Sequence, residues 1–351
     1  MKKGARILAA AVAAVMLMLS GTALADAKIQ QIGALTMLNI SEADYAQIVR
    51  QQVMASAFLG EDQPGAILAK EGFVAENPEI IYFDHLTDLV MALQAGQIQA
   101  ADLPMEVAMY VAAHNDGLQM ISPLKNPMDI LDLDNVMDIL CDSVFCCDLS
   151  FMTTEENSAL LAEINRAAME IYEDGTEDQL YETYVINAME NEPVVEDIQP
   201  TEGWEIIRVI VTGDLPPIDY MTADGKPAGF NVALLREIGK RLQKNIELIP
   251  ADAASRSLLL SSGEADIAFW TRSSADLAGM ADLGVAYDDW EQFYELGADE
   301  QATVDEINEK VFSSFNAEQF TKRDLPEGLT TGNDLFLSTV NTLLVNESAL
   351  R

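Results

Sequence analysis

The sequence predicts an α/β fold built on open, largely parallel sheets, and three observations carry that prediction. Between Ile206 and Arg272 short apolar runs alternate with helical patterns, as strand–helix–strand units require. The run Ile206 to Val211 ends in Gly213-Asp214 and then Pro216-Pro217, which cannot continue a central strand. A similar alternation occurs earlier, where Glu79 to Phe83 reads as a strand and the following segment as a helix.

The elements follow in order. After Val211 comes the turn Ala223-Asp224-Gly225-Lys226, then a helix with Val232, Leu235, Ile238 and Leu242 at helical spacing. A strand over Ile246 to Ile249, a helix ending at Gly263 and a third strand over Asp266 to Trp270 complete a β-loop-α-β-α-β series. In such a sheet, ligands sit at the carboxyl ends of the strands. In the first half, Ile29 to Leu38 reads as a strand, and Ser41-Glu42-Ala43-Asp44 as a helix start resembling a capping box. The next helix buries Leu86, Leu89, Val90 and Leu93 on one face and stops at Gly96. A short strand, Ile98 to Asp102, runs into Leu103-Pro104.

These residues carry a resemblance. Asp214, Pro216, Pro217, Asp224, Gly225, Lys226, Gly229, Phe230, Asn231 and Val232, with Ser262, Gly263, Asp266 and Ile267 later, resemble the first lobe of bacterial extracytoplasmic solute-binding proteins, family 3, the polar amino acid-binding type. The segment from Asp84 to Asp102 resembles that family's second lobe. Glu163-Ile164-Asn165, Asp174-Gly175-Thr176 and Leu180 to Tyr184 resemble its closing helices. The resemblance implies a bilobal, type II periplasmic binding protein-like fold, two mixed sheets flanked by helices around a cleft. The order of the pieces departs from the family. Second-lobe and closing-helix signatures come first, the first lobe follows, and Pro326 to Val345 resembles the segment that crosses into lobe two. This order reads as a circular permutation, inexpensive where termini lie close at the surface. Two incomplete, separately folded repeats are the alternative.

The expected organisation is a signal peptide over 1–25, a second-lobe-like and closing-helix segment over 26–190, a linker over 191–202 and a first-lobe-like segment over 203–351. The last carries an acidic insertion at about 273–322. Lys2, Lys3 and Arg6 precede an apolar run from Ile7 to Leu19, and Ala23-Leu24-Ala25 offers a cleavage site before Asp26. Thr22 stands where a lipoprotein needs cysteine, so a periplasmic protein without membrane insertion after cleavage is expected. The chain has 20 basic and 58 acidic residues, a formal charge of −38; losing three of the basic ones with the signal leaves −41. Such a surface excludes nucleic acid as a natural partner. Cys141, Cys146 and Cys147 suit either one disulfide with a thiol left over or three small, partly buried residues.

An amino acid zwitterion in the cleft needs a cation, an acid and a surface for its side chain. The family's usual arginine, from a Thr-x-x-Arg step, is Leu277 here, and Arg272 is the substitute, with an exposed surface arginine as the plainer alternative. Asp102 matches the family's ammonium-binding acid and Asp214 is second; either is equally at home as a cap or turn residue. Trp270 offers a stacking face, or is simply core, and Thr271 lies between it and Arg272. Asn39 and Ser41 offer donors to an anion, although a plain N-cap also explains Ser41. Leu215 and Ile218 replace aromatics of the family's cleft, which favours a more apolar ligand.

The resemblance implies a small amino acid-like ligand, an ABC transporter permease as partner, and neither cofactor nor metal. Enzymes on the same fold, dehydratases or lytic transglycosylases, and a degenerate fold used for interaction or sensing are the alternatives. No catalytic residue is assigned: the sequence has no G-x-S-x-G, zinc motif or phosphate loop, and only two histidines.

Overall fold

The computed structural model describes residues 28–38, 42–56, 64–121, 149–191, 193, 198–272, 328–331 and 341–350. The signal segment, the three cysteines and the acidic insertion lie outside them.

In chain order, the first half gives β1 (Ile29–Leu35), α1 (Glu42–Ser56), β2 (Val74–Phe83), α2 (Leu86–Gln94), β3 (Ala100–Pro104), α3 (Met105–His114), β4 (Leu118–Ile121), β5 (Leu149–Thr154), α4 (Ser158–Glu173) and α5 (Thr176–Tyr181). The second half gives β6 (Ile206–Val211), β7 (Asp214–Leu215), β8 (Asp219–Met221), β9 (Pro227–Ala228) and α6 (Phe230–Leu242). After these come β10 (Asn245–Pro250), α7 (Ala253–Ser261), β11 (Ile267–Arg272), β12 (Leu329–Thr331) and β13 (Asn341–Asn346). The first strand is shorter than its apolar run suggests, because Thr36–Leu38 winds into a 3-10 turn.

Two five-stranded sheets organise these elements, in the orders β2-β1-β3-β13-β4 and β10-β6-β11-β5-β12; β7, β8 and β9 form a small third sheet. In the first sheet β1 is parallel to β2 and β3, and β13 runs antiparallel between β3 and β4. In the second, β6 is parallel to β10 and β11, and β5 runs antiparallel between β11 and β12. Each sheet is therefore mixed, and each half of the chain lends one antiparallel strand to the sheet of the other half.

The register fixes where the crossings lie. Asn341 opens β13 opposite Pro104, the last residue of β3, and Leu149 opens β5 opposite Arg272, the last residue of β11. β4 and β12 also end on that side, so both connections between the sheets leave and arrive at the carboxyl ends of the parallel strands. That is where open α/β sheets hold ligands.

The second-half sheet is held by a clamp between β6 and the residue just ahead of β11. Arg208 is the one charged residue of β6. Its Nη2 donates to Asp266 Oδ1 at 2.8 Å, its Nε to Asp266 Oδ2 at 3.1 Å, and its Nη1 to the carbonyls of Gly263 and Glu264 at 2.7 and 3.0 Å. Asp266 Oδ2 also accepts the Arg208 backbone N–H at 2.8 Å. The planar fork of an arginine is suited to this bidentate task. The Ser-Gly-x-x-Asp step seen in the sequence is thus structural here. Against the same sheet, α4 buries Leu161, Ile164, Ala167 and Ile171, an apolar stripe at helical spacing, and packs on α6.

Candidate ligand-binding site

The end of β6 is shaped by one buried acid. Asp219 accepts the backbone N–H groups of Thr212 at 2.9 Å and Gly213 at 3.1 Å, and Asn231 Nδ2 donates to it at 3.2 Å. Burial pushes its carboxyl up to about 6, against these hydrogen bonds and the charge of Arg256. Arg256, on α7, is itself nearly buried, and burial lowers it to about 10 against the attraction of Asp219 and Asp252.

Gly229 completes the loop, and only glycine fits there. Its φ is +107°, and a Cβ would stand 2.5 Å from the Ile218 carbonyl oxygen and 2.6 Å from that of Pro217. The next two residues bond the same carbonyls, Phe230 N–H to Pro217 at 3.1 Å and Asn231 N–H to Ile218 at 2.9 Å. The Gly-Phe-Asn part of the hallmark therefore fastens the Pro-Pro loop to the start of α6. Leu215 and Ile218 are wholly buried, so they serve this packing in the described structure.

Asp214 reaches the other half. Its Oδ2 accepts the backbone N–H of Leu86, the first residue of α2, at 2.9 Å, and lies 3.3 Å from His85 Nδ1. A carboxylate at a helix N-terminus satisfies an orphan donor and meets the positive end of the helix dipole. Within the first half, Tyr181 Oη of α5, a helix that packs on α6, donates to Glu106 Oε1 of α3 at 3.1 Å. Burial, with Glu106 beside it, raises the Tyr181 hydroxyl well above its ordinary range.

The remaining expected site residues are placed as follows. Asp102 is fully buried in β3, opposite Leu343 of β13. Trp270, Thr271 and Arg272 form the end of β11, where their side chains lie outside the described residues. Asn39 and Ser41 also lie outside them. The structure thus puts Asp102 and the end of β11 on the central strands of different sheets, each towards the carboxyl end. It gives Asp214 a contact that the sequence reading did not foresee.

Sequence reasoning also missed Asn341 and Gln52. Asn341 is 1% exposed and Gln52 is fully buried. Pro104 has no N–H to give its cross-strand neighbour, and the Asn341 carbonyl accepts Gln52 Nε2 at 3.0 Å. Asn341 follows no motif; the only signal was its position, just ahead of the apolar run Thr342 to Val345. Among the described residues no group of three metal-ligating side chains is placed to hold a metal ion, and no helix is long and apolar enough to cross a membrane.

Residues 207–276 match the profile of the bacterial extracellular solute-binding proteins, family 3. No curated protein matches the chain. Among solved structures, the ligand-binding component of an ABC-type import system from Staphylococcus aureus, with zinc bound, has a TM-score of 0.35 at 11% identity, over 91% of this chain and 66% of that one. A phosphate-binding protein of a phosphate ABC transporter from Streptococcus pneumoniae has 0.32 at 11%, over 91% and 88%. The periplasmic aliphatic sulphonate binding protein SsuA of Escherichia coli has 0.32 at 9%, over 91% and 65%. The chain thus spans just under two thirds of the first and third of these. At such scores the fold is read from the strand order and not from these likenesses. That family match takes in β6 from Ile207 on, the Pro-Pro loop, α6 and β11.

Proposed function

We propose that this chain is the substrate-binding protein of an ABC importer, exported to the periplasm, which captures an amino acid or a similar small zwitterion or anion between two lobes. The observation that supports it most is the meeting of two mixed sheets at their carboxyl ends, one of them built on the family-3 segment and joined to the other by Asp214 and the start of α2. In this reading Arg272 takes the ligand's carboxylate, Asp102 its ammonium, and Trp270 and Thr271 line the mouth of β11. Asn39 and Ser41 supply donors from the first half. Closure of the lobes then commits the ligand and presents one closed shape to the permease.

The same reading takes the chain as permuted, with 26–190 as second lobe plus closing helices, 191–202 as linker and 203–351 as first lobe. Two features support it: the helices that follow β5 pack on α6 of the later half, and β13, which follows β12 in sequence, is lent to the earlier sheet. Transport is tested by deleting the gene and measuring uptake of labelled amino acids. A specific loss, restored by the wild-type gene, is expected; uptake unchanged for every amino acid removes transport as the role.

A further inference from the structure

The start of β13 holds buried polar atoms that the described residues do not use. Both amide atoms of Asn341, Oδ1 and Nδ2, and the Oε1 of Gln52 are buried with no hydrogen-bond partner among the described residues. Two hydroxyls nearby are satisfied: Thr342 Oγ1 donates to the Ile121 carbonyl at 2.9 Å, and Ser56 Oγ to that of Gln52 at 2.7 Å. Leaving a buried donor or acceptor unmade is costly, and native folds rarely tolerate it without a function. Here three such atoms gather at the carboxyl end of β3, the edge from which the crossing segment departs.

The register also gives the neighbour. Asn341 stands opposite Pro104 and Leu343 opposite Asp102, so Asn341 and Asp102 share one face of the sheet as diagonal neighbours. Such positions lie roughly 7–8 Å apart, the span of a small polar head group. An amide with both atoms open reads a group that presents a donor and an acceptor side by side.

We infer that Asn341, supported by Gln52, is a specificity-determining contact on the first-half sheet, and that it reads the α-amino acid head. Its Oδ1 accepts from the ammonium that Asp102 also attracts, and its Nδ2 donates to the adjoining carboxylate. This rests on the reading of the site as one for a small zwitterion. It adds a neutral two-point reader to the charged groups named there. A ligand with a carboxylate but no amine would lose half of that contact.

The test compares wild type with N341L, which keeps the side chain's size, and with N341A, which asks for no extra space. Melting is followed in buffer and with each common L-amino acid at millimolar concentration. The expected result is that at least one variant melts in buffer no lower than wild type, since a buried amide without partners is gone. Its affinity for the amino acid that stabilises wild type falls about tenfold or more, as the loss of two hydrogen bonds implies. Both variants melting well below wild type in buffer make Asn341 structural and overturn the inference. A wild-type stabilisation that a well-folded variant keeps overturns the contact alone. A wild type that no amino acid stabilises overturns the contact and the amino acid reading together.

Discussion

Asp214→Ala removes the one carboxylate that joins the Pro-Pro loop of one half to α2 of the other. In the structure Asp214 Oδ2 accepts from the Leu86 backbone N–H at 2.9 Å and sits 3.3 Å from His85 Nδ1. A hydrogen bond to a charged acceptor contributes roughly 1.5–3 kcal/mol, and the helix N-terminus adds roughly 0.3–1 kcal/mol. The Asp214 side chain is 28% exposed and that of His85 62%, so solvent screens the pair, and the lower part of the range applies. The net favour for the joined form is then about 1–2 kcal/mol, a shift of roughly 5–30-fold in the equilibrium between the two sheets joined and parted at this contact. The bond from Tyr181 of α5, which packs on α6, to Glu106 of α3 stays, so partial rather than full separation is expected. Small-angle X-ray scattering reads this directly: Asp214→Ala should show a larger radius of gyration than wild type, with Asp214→Asn between them. High salt should move wild type towards the variant. Superimposable profiles for all three proteins would refute the reasoning and leave Asp214 as an ordinary turn residue.

Three further outcomes follow from the same structure. Gly229→Ala forces a Cβ to within 2.5 Å of the Ile218 carbonyl at a φ of +107°, so it should cost roughly 3 kcal/mol or more, read as a large fall in the urea midpoint. Asp219, raised to about 6 from 3.8, favours the fold most when protonated, so its contribution is present below pH 4 and lost as the pH rises through 6. The loss approaches about 3 kcal/mol, and urea midpoints measured from pH 4 to 7 should fall less steeply in Asp219→Asn than in wild type. Arg272→Ala should weaken ligand binding by roughly 2–5 kcal/mol with little effect on melting, and unchanged affinity by calorimetry would return Arg272 to the surface.

Much of the fold was legible because its signals are local. The run Ile206–Val211, the stripe of α6 and the stop at Gly96 each follow from periodicity and backbone preference, and β6, α6 and α2 lie where those signals put them. The mixed character of the sheets was not legible from local pattern. β5 and β13 take their places through pairing with strands far away in sequence, Leu149 with Arg272 and Asn341 with Pro104. The site divides the same way. Asp102 was picked out by its match to the family's second-lobe acid, and the structure places it buried in β3, whereas the hallmark residues Gly229, Asn231 and Asp266 proved to hold the loop and the sheet together. Asp214 was assigned by its place after the strand, but its partner in α2 lies 128 residues away. Asn341 and Gln52 carry no motif at all. Their importance is visible only as buried amides at a strand end, a property of packing and not of sequence.

The central claim is that the two halves capture one small polar solute between them. Thermal melting of the purified protein across common L-amino acids, their decarboxylated and deaminated analogues, and inorganic anions tests it most directly. The account predicts that a narrow set of α-amino acids raises the melting temperature, by about 2.7 kcal/mol of added stability at a hundredfold excess over Kd, while analogues lacking either charged group do so much less. A flat response across the whole panel, or equal stabilisation by analogues lacking the amine or the carboxylate, would contradict it.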